Sequence, residues 1–276
     1  MSNILEITDL SKSFPLPSKK KLEILSDLNL SIESGISASI VGKSGCGKST
    51  LLQIAASLLK PTSGSIKIDG KEISKMNERE LCNLRCNKMG FIFQSSLLLE
   101  DFNALENIEM PLLIKGESKK KAEKRALELI DLVGLMDRKS HRVDQLSGGE
   151  KQRIAIARSL ANSPRIIFAD EPTGSLDEKN ASFIEDMLLS LVRKEKTTLI
   201  LVTHNNVFAD KCDKKFILTF GKIEVPEVKE IKTIEDDRND LIDFGKKIVN
   251  EQGSEKFEKS NLNIRLSSFD LAREDD

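Results

Sequence analysis

The chain opens on alternation. In ILEITDL, and again in LEILSDLNLSIESG, nearly every second position is apolar, the period of a half-buried strand. ISASIVG follows, a short and largely apolar strand that ends on a glycine-rich loop. KSTLLQIAASLL then carries a helical period, and PTSGSIKIDG reads as turn, strand and turn. From roughly residue 78 to residue 135 the pattern is mostly helical and charged, as in SKKKAEKRALELIDLVGL. Beyond it the pattern predicts a strand at RIIFA, a helix near NASFIEDMLLSLVRK and a strand at TTLILVTH. Strands that alternate with helices predict an α/β fold with a mainly parallel sheet.

Near Ile223 the pattern breaks. From there to Asp276 the apolar residues are scattered, and DLIDFGKKIV alone could form a short amphipathic helix. This stretch holds nine basic and fifteen acidic side chains, a net −6, which leaves +5 on the preceding body. It reads as a tail or small lobe, expected to be dispensable for folding of the rest.

Composition narrows the class. A chain of 276 residues with 39% hydrophobic and 32% charged positions can bury a substantial core. A net charge of −1 gives no global attraction to nucleic acid, and the absence of Trp and Tyr argues against a base-stacking surface. The four cysteines (Cys46, Cys82, Cys86, Cys212) lack the spacing of a zinc site and read as free thiols. The opening MSNILEITDL has acidic residues where a signal peptide needs a basic and then an apolar run. No apolar stretch approaches the roughly 20 residues needed to cross a bilayer.

The candidate chemistry begins at GKSGCGKST, formed by Gly42, Lys43, Ser44, Gly45, Cys46, Gly47, Lys48, Ser49 and Thr50. A strand before it and a helix after it are the setting of a phosphate-binding loop. Backbone N–H groups converge on phosphate oxygens there, Lys48 brings a point charge to the β and γ phosphates, and Ser49 brings a hydroxyl ligand for Mg²⁺. In RIIFADEP the strand delivers Asp170 beside that loop as a second Mg²⁺ ligand. Glu171 follows it, placed to polarise a water as general base. His204 ends the strand TLILVTH and would reach the same sheet edge, as a γ-phosphate contact or as a structural strand-end histidine. His141 has no such context. In DQLSGGEKQRIAIARSL a second helix N-terminus could hold an anion, but it has no lysine to grip one.

The phosphate loop, FIFQ ending at Gln94, LSGGE, IIFADEPTGSLD and His204 together resemble the ATP-binding-cassette ATPases in order and spacing. The resemblance spans roughly residues 4–223. It implies a P-loop NTPase fold of that type: a mainly parallel core sheet with flanking helices, an antiparallel N-terminal β subdomain, a helical signature subdomain near residues 95–160, and a C-terminal appendage. Residues 1–223 would form the ATPase domain and 224–276 the acidic tail. It further implies that Gln94 contacts Mg²⁺, that Asp177 communicates between subunits, and that His204 is the switch histidine. Phe14 in LSKSF matches the aromatic that stacks on adenine, although an isolated Phe in a strand also reads as core. The signature Ser147, Gly148, Gly149 and Glu150 would act in trans, closing over ATP held by the phosphate loop of a second copy. That implies a homodimer around two ATP molecules, each with Mg²⁺.

Within the family, MGFIFQSSLLLEDFNALENIEMPLLI, LSGGE and ADEPTGSLD resemble the ATPases of the lipoprotein-releasing system, and beyond them the macrolide-exporter and cell-division types. This implies a peripheral place on the cytoplasmic face of the bacterial inner membrane, with separate integral membrane subunits docking near Gln94–Ile114. Leu97, Leu98, Leu99, Phe102, Met110, Leu112 and Leu113 are dense there and divide between core and docking surface, with Leu98 and Phe102 the expected anchors. Lys43, Val143 and Phe220 depart from the group's usual residues, and Glu150 stands where the wider family has Gln. A DNA- or ribosome-acting ATPase is disfavoured: the chain has no long insertion between phosphate loop and signature, and a single cassette. A regulatory module without hydrolysis is disfavoured by Lys48, Asp170, Glu171 and His204 together.

Overall fold

The protein is described by a computed structural model over residues 2–17 and 20–224. The acidic tail expected beyond residue 224, with its candidate helix and its expected dispensability, lies outside the described residues. In chain order, β1 (Asn3–Pro15) and β2 (Lys21–Glu33) form a long antiparallel hairpin. Next, β3 (Ser37–Val41) runs through the glycine loop into α1 (Lys48–Ala55). Then β4 (Ser63–Ile68) and β5 (Lys71–Glu72) return to the first pair, giving an antiparallel sheet in the order β2-β1-β4-β5. The alternation read in ILEITDL is visible as burial of Leu5, Ile7 and Leu10 against a shared core, with Glu6 and Thr8 between them turned outward.

The second sheet is six-stranded and mainly parallel. After α2 (Glu78–Lys88) comes β6 (Met89–Ile92), then α3 (Ala104–Lys115), α4 (Lys119–Leu132) and α5 (Gly148–Leu160). The chain then alternates β7 (Ile166–Asp170), α6 (Glu178–Lys194), β8 (Thr198–Val202) and α7 (Asn206–Asp210), and ends on the hairpin β9 (Lys214–Thr219) and β10 (Lys222–Glu224). The strand order is β10-β9-β3-β8-β7-β6, parallel except at the last hairpin. Every residue of β3 and β8, and all of β7 but Asp170, is buried. That is why these strands read as unbroken apolar runs rather than as alternation.

One element departs from the expected pattern. The stretch near residue 90 reads as part of a helical region, yet Met89–Ile92 is an edge strand paired with β7. Four residues are too few to display a period, and the helical signal of α2 runs directly into them.

The helical subdomain is built from α3, α4 and α5, which bury Ile108, Leu112, Ala126, Ile130 and Ile154. The loop that enters it is pinned by Asn107, which is wholly buried. Its side-chain oxygen accepts from the Leu99 N–H at 2.8 Å, and its amide donates to the Leu99 and Asn103 carbonyls at 3.1 and 3.0 Å. This clamp corrects the expectation for Leu98. Leu97 and Leu99 are 57% and 41% exposed, whereas Leu98 between them is only 9% exposed and belongs to the core. Of the other candidates, Leu112 is buried, Phe102 and Met110 are half-buried, and Leu113 is exposed.

The loops after β7 and β8 are held together by a buried acid, Glu185 of α6. Its Oε1 accepts from Asn205 at 3.0 Å and from the Thr173 hydroxyl at 3.4 Å, and its Oε2 meets the Lys211 ammonium at 3.1 Å. Lys211 also reaches Asp186 at 2.9 Å and is partly exposed, so it is not stranded when Glu185 is lost. Glu185→Ala is therefore expected to cost about 3 kcal/mol, the low end for a broken buried ion pair. Urea denaturation of the full chain checks this, and a loss below about 1 kcal/mol, the scale of an exposed pair, would contradict it.

Candidate functional site

The carboxyl ends of β3, β7 and β8 converge on one edge of the parallel sheet. The loop after β3 wraps into the N-terminus of α1 through Gly47, which takes φ 104° and whose missing Cβ would lie 2.8 Å from the Ile24 side chain. Only glycine combines that backbone angle with so close a neighbour. Lys48, buried, donates to the carbonyls of Gly42 and Lys43 at 2.8 and 3.0 Å, so its ammonium lies along the inside of the loop. Lys43 and Ser44 point to solvent and Cys46 is half-buried. The first turn of α1 has no acidic residue, so its amides and macrodipole are free to favour an anion.

Ser49 donates its hydroxyl to Asp170 Oδ1 at 3.1 Å, which joins α1 to the end of β7. Burial pushes the Asp170 carboxyl above its ordinary value and neighbouring Glu171 adds to this, while the Ser49 hydroxyl and the Lys48 ammonium pull it back down. A half-buried carboxylate beside a hydroxyl is a hard-oxygen donor set, and a small divalent cation suits it. Gln94 reaches the same region from the end of β6. Its amide packs where a Cβ on Gly174 would sit, 3.1 Å away, and Ser175 donates its hydroxyl to the Gln94 carbonyl at 3.2 Å. A side chain at position 174 would push the Gln94 amide aside.

Glu171 is set apart by its backbone. It takes φ 47°, a left-handed conformation that a residue with a long side chain adopts at a cost of about 1–3 kcal/mol. Its N–H donates to the Val202 carbonyl at 2.8 Å, which fixes the turn. Its carboxylate is then divided between two residues that follow β8: Oε2 accepts from the Thr203 hydroxyl at 3.1 Å, and Oε1 lies 2.9 Å from His204 Nδ1. The His204 side chain is 70% exposed. A carboxylate held by an orienting hydroxyl and paired with an imidazole can accept a proton from a water. The structure thus brings together Lys48, Ser49, Asp170, Glu171 and His204, with Gln94 beside them.

The signature turn lies elsewhere. Ser147 caps α5: its Oγ accepts from the Glu150 N–H at 3.3 Å and Glu150 Oε2 accepts from the Ser147 N–H at 2.8 Å, a complete capping box. Gly148 and Gly149 face Leu176 and Asn180 at the start of α6. Among the described residues, no hydrogen bond joins Ser147, Gly148 or Gly149 to the 42–50 loop. Asp177 caps α6, with its two carboxylate oxygens on the Asn180 N–H and the Asn180 amide, and these bonds hold its carboxyl below the ordinary value.

Phe14 is 36% exposed near the end of the first hairpin, opposite Leu22. The Lys12 ammonium sits 4.8 Å from its ring centroid, a cation–π contact on the surface. The core alternative for this residue is therefore set aside. Phe220 is 94% exposed at φ 48° and precedes Gly221 at φ 74°, so a two-residue turn closes β9 onto β10, and an aromatic stands where small polar residues are usual. Val143 is buried in a short 3-10 turn. The cysteines are free, and burial pushes the Cys212 thiol up to about 12. Among the described residues, no three or more His, Cys, Asp or Glu side chains are grouped to hold a metal ion by themselves, and no helix is long and apolar enough to cross a membrane.

Four residues important to this arrangement were missed in the sequence. Glu185 joins the loops that follow β7 and β8. On α5, Gln152 donates to the Phe93 carbonyl at 3.1 Å, and Arg158 donates to the Ser96 and Leu97 carbonyls at 2.8 Å each. Arg138 donates to Glu150 at 3.1 Å. Each acts on a partner 12 to 62 positions away, so no local spacing announces it.

Known proteins resemble this chain in sequence and in fold. The family model described as ABC transporter matches residues 25–174. The lipoprotein-releasing system ATP-binding protein LolD of Treponema denticola is 46% identical over 222 residues, covering 80% of this chain and 98% of that protein. LolD 1 of Chlorobium chlorochromatii is 42% identical over 223 residues, covering 80% and 91%. Among solved structures, the ATP-binding cassette MJ0796, in a dimeric post-hydrolysis state bound to ADP and Pi, has a TM-score of 0.75 at 37% identity. That match covers 83% of this chain and 100% of the cassette. With the family model matching more than half of its length and relatives above 40% identity across four fifths of it, the chain belongs to the ABC transporter ATPase family.

Proposed function

We propose that this chain is the ATP-hydrolysing subunit of a transporter that releases lipoproteins from the inner membrane, working as a homodimer with separate membrane-spanning subunits. The observation that carries the hydrolytic part is the convergence of Lys48, Asp170 and strained Glu171 on one sheet edge, with Glu171 oriented by Thr203 and paired with His204. The cargo and the partners are supported by the likeness to LolD proteins over nearly their whole length.

In this reading Phe14 stacks on adenine, and the Gly42–Thr50 loop cradles the phosphates. Ser49, Asp170 and Gln94 would hold Mg²⁺, which would supply charge neutralisation to the phosphates. Glu171 takes a proton from the attacking water as the water oxygen bonds to the γ phosphorus. The bond from that phosphorus to the bridging oxygen breaks, leaving ADP and phosphate. His204 steadies the γ-phosphate. Ser147–Gly149 has no lysine, and a helix N-terminus alone is worth only about 0.3–2 kcal/mol to an anion. It therefore works by closing over ATP already gripped by the other copy, near Asp177. Two such composite sites make the dimer a nucleotide-driven clamp.

Glu171→Gln keeps the side chain's shape and removes the base. Turnover is expected to fall by ~10²–10⁴-fold, and ATP should hold the variant as a dimer in size-exclusion chromatography while the wild type runs mainly as monomer. Wild-type-like turnover in this variant would remove Glu171 from the mechanism.

The trans geometry has its own test. Ser147→Arg and Lys48→Ala chains are each expected to be inactive alone. Mixed and purified as heterodimers, they should regain hydrolysis from one intact composite site, at no more than about half the wild-type rate per dimer. No recovery in verified heterodimers would count against it.

Docking is assigned to the exposed side of the Gln94–Ile114 segment, in particular Leu97 and Leu99. Leu97 is exposed at φ 47°, an apolar side chain held outward in a strained backbone. Leu97→Glu and Leu99→Glu should keep their melting temperature within about 2 °C, as surface changes do, and lose co-purification with the membrane subunits. Leu98→Glu, which buries a charge, should instead lower the melting temperature markedly. Retained co-purification in both exposed-site variants would move the docking surface elsewhere.

A further inference from the structure

The capping box at the signature helix carries a charge that its task does not favour. Glu150 satisfies the Ser147 N–H and so shapes the turn, but it also places a carboxylate at the N-terminus of α5. A neutral glutamine could accept the same bond. Burial opposes ionisation of Glu150, yet its bonds to Ser147 and to Arg138 outweigh this and hold the carboxyl below its ordinary value. The helix itself is stabilised by a negative charge in its first turn. A second anion arriving at the same turn meets like-charge repulsion.

Arg138 answers this. It ends the short 3-10 turn Met136–Arg138, and its Nε donates to Glu150 Oε1 at 3.1 Å while Glu150 Oε2 stays on Ser147. The Glu150 side chain is only 17% exposed, so the pair is partly screened from water, whereas the competing Asp137 contact of Arg138 is on the surface. We propose that Arg138 is a positioning residue for the trans site: it turns Glu150 onto the Ser147 cap and cancels its charge, so that Ser147–Gly149 can accept the γ-phosphate of ATP held by a second copy. This rests on the trans reading above. It adds that the glutamate form of the signature needs a basic residue at 138, and that a glutamine form would not.

The test uses the full chain carrying Glu171→Gln, titrated with ATP and Mg²⁺ while dimerisation is followed by light scattering. Arg138→Gln is expected to raise the ATP concentration at half-dimerisation roughly tenfold, the upper range for a charge at a helix terminus, while leaving binding of a fluorescent ATP analogue to the monomer unchanged. Adding Glu150→Gln should abolish the defect: the double variant should dimerise within about twofold of Glu150→Gln alone. Arg138→Lys, which keeps the charge, should stay within about threefold of its parent and serves where Arg138→Gln folds poorly. If Arg138→Gln costs as much in the Glu150→Gln background as it does with Glu150 in place, or costs nothing in either, the inference is overturned. An Arg138→Lys loss as large as a tenfold shift overturns it too. Failure of the Glu171→Gln parent to dimerise while it still binds the analogue would bring down the trans reading itself, and this inference with it.

Discussion

The N–H of Glu171 donates to the carbonyl of Val202 at 2.8 Å, and the rest of the catalytic edge depends on that one bond. It extends the β7–β8 pairing by one residue beyond the register Asp170↔Val202. The chain must then turn through φ 47° to leave the sheet. A flexible loop would relax that angle. Here the turn is held, because Thr203 and His204 bond the Glu171 carboxylate from just beyond the neighbouring strand, and Glu185 ties the loops after both strands to α6. The strain is over-determined, which is the condition under which strained residues persist at working sites.

Much of this was legible in the sequence because it is local. The phosphate loop is nine consecutive residues with a strand before it and a helix after it, and RIIFADEP is a buried strand that ends in two acids. Both announce themselves within a dozen positions. Legibility ended where contacts are long-range. Glu185 lies in the middle of a helix whose period explains it only as an intrusion on the apolar face, and its purpose appears when Thr173 and Asn205 are found around it. Leu98 could not be separated from Leu97 and Leu99 in a run of three leucines, since it is Asn107, eight positions beyond Leu99, that clamps the loop. The edge strand Met89–Ile92 was hidden by its brevity and by the helix that feeds it.

The signature turn and the loop that carries Gln94 are joined by α5. At its N-terminus lies the signature turn, and along its length Gln152 and Arg158 grip the carbonyls of Phe93, Ser96 and Leu97. These carbonyls belong to the loop that carries Gln94 on one side and the exposed leucines on the other. Charge-assisted bonds from an arginine fork are directional as well as strong, so they fix the loop against the helix. Arg158 stands some ten residues, or roughly 15 Å at the helical rise per residue, from the signature turn, and its acceptor Leu97 is three peptide bonds from Gln94. If a membrane partner docks at Leu97 and the signature turn meets ATP of a second copy, as proposed above, a single helix joins the two contacts and no bistable relay between distant sites is needed.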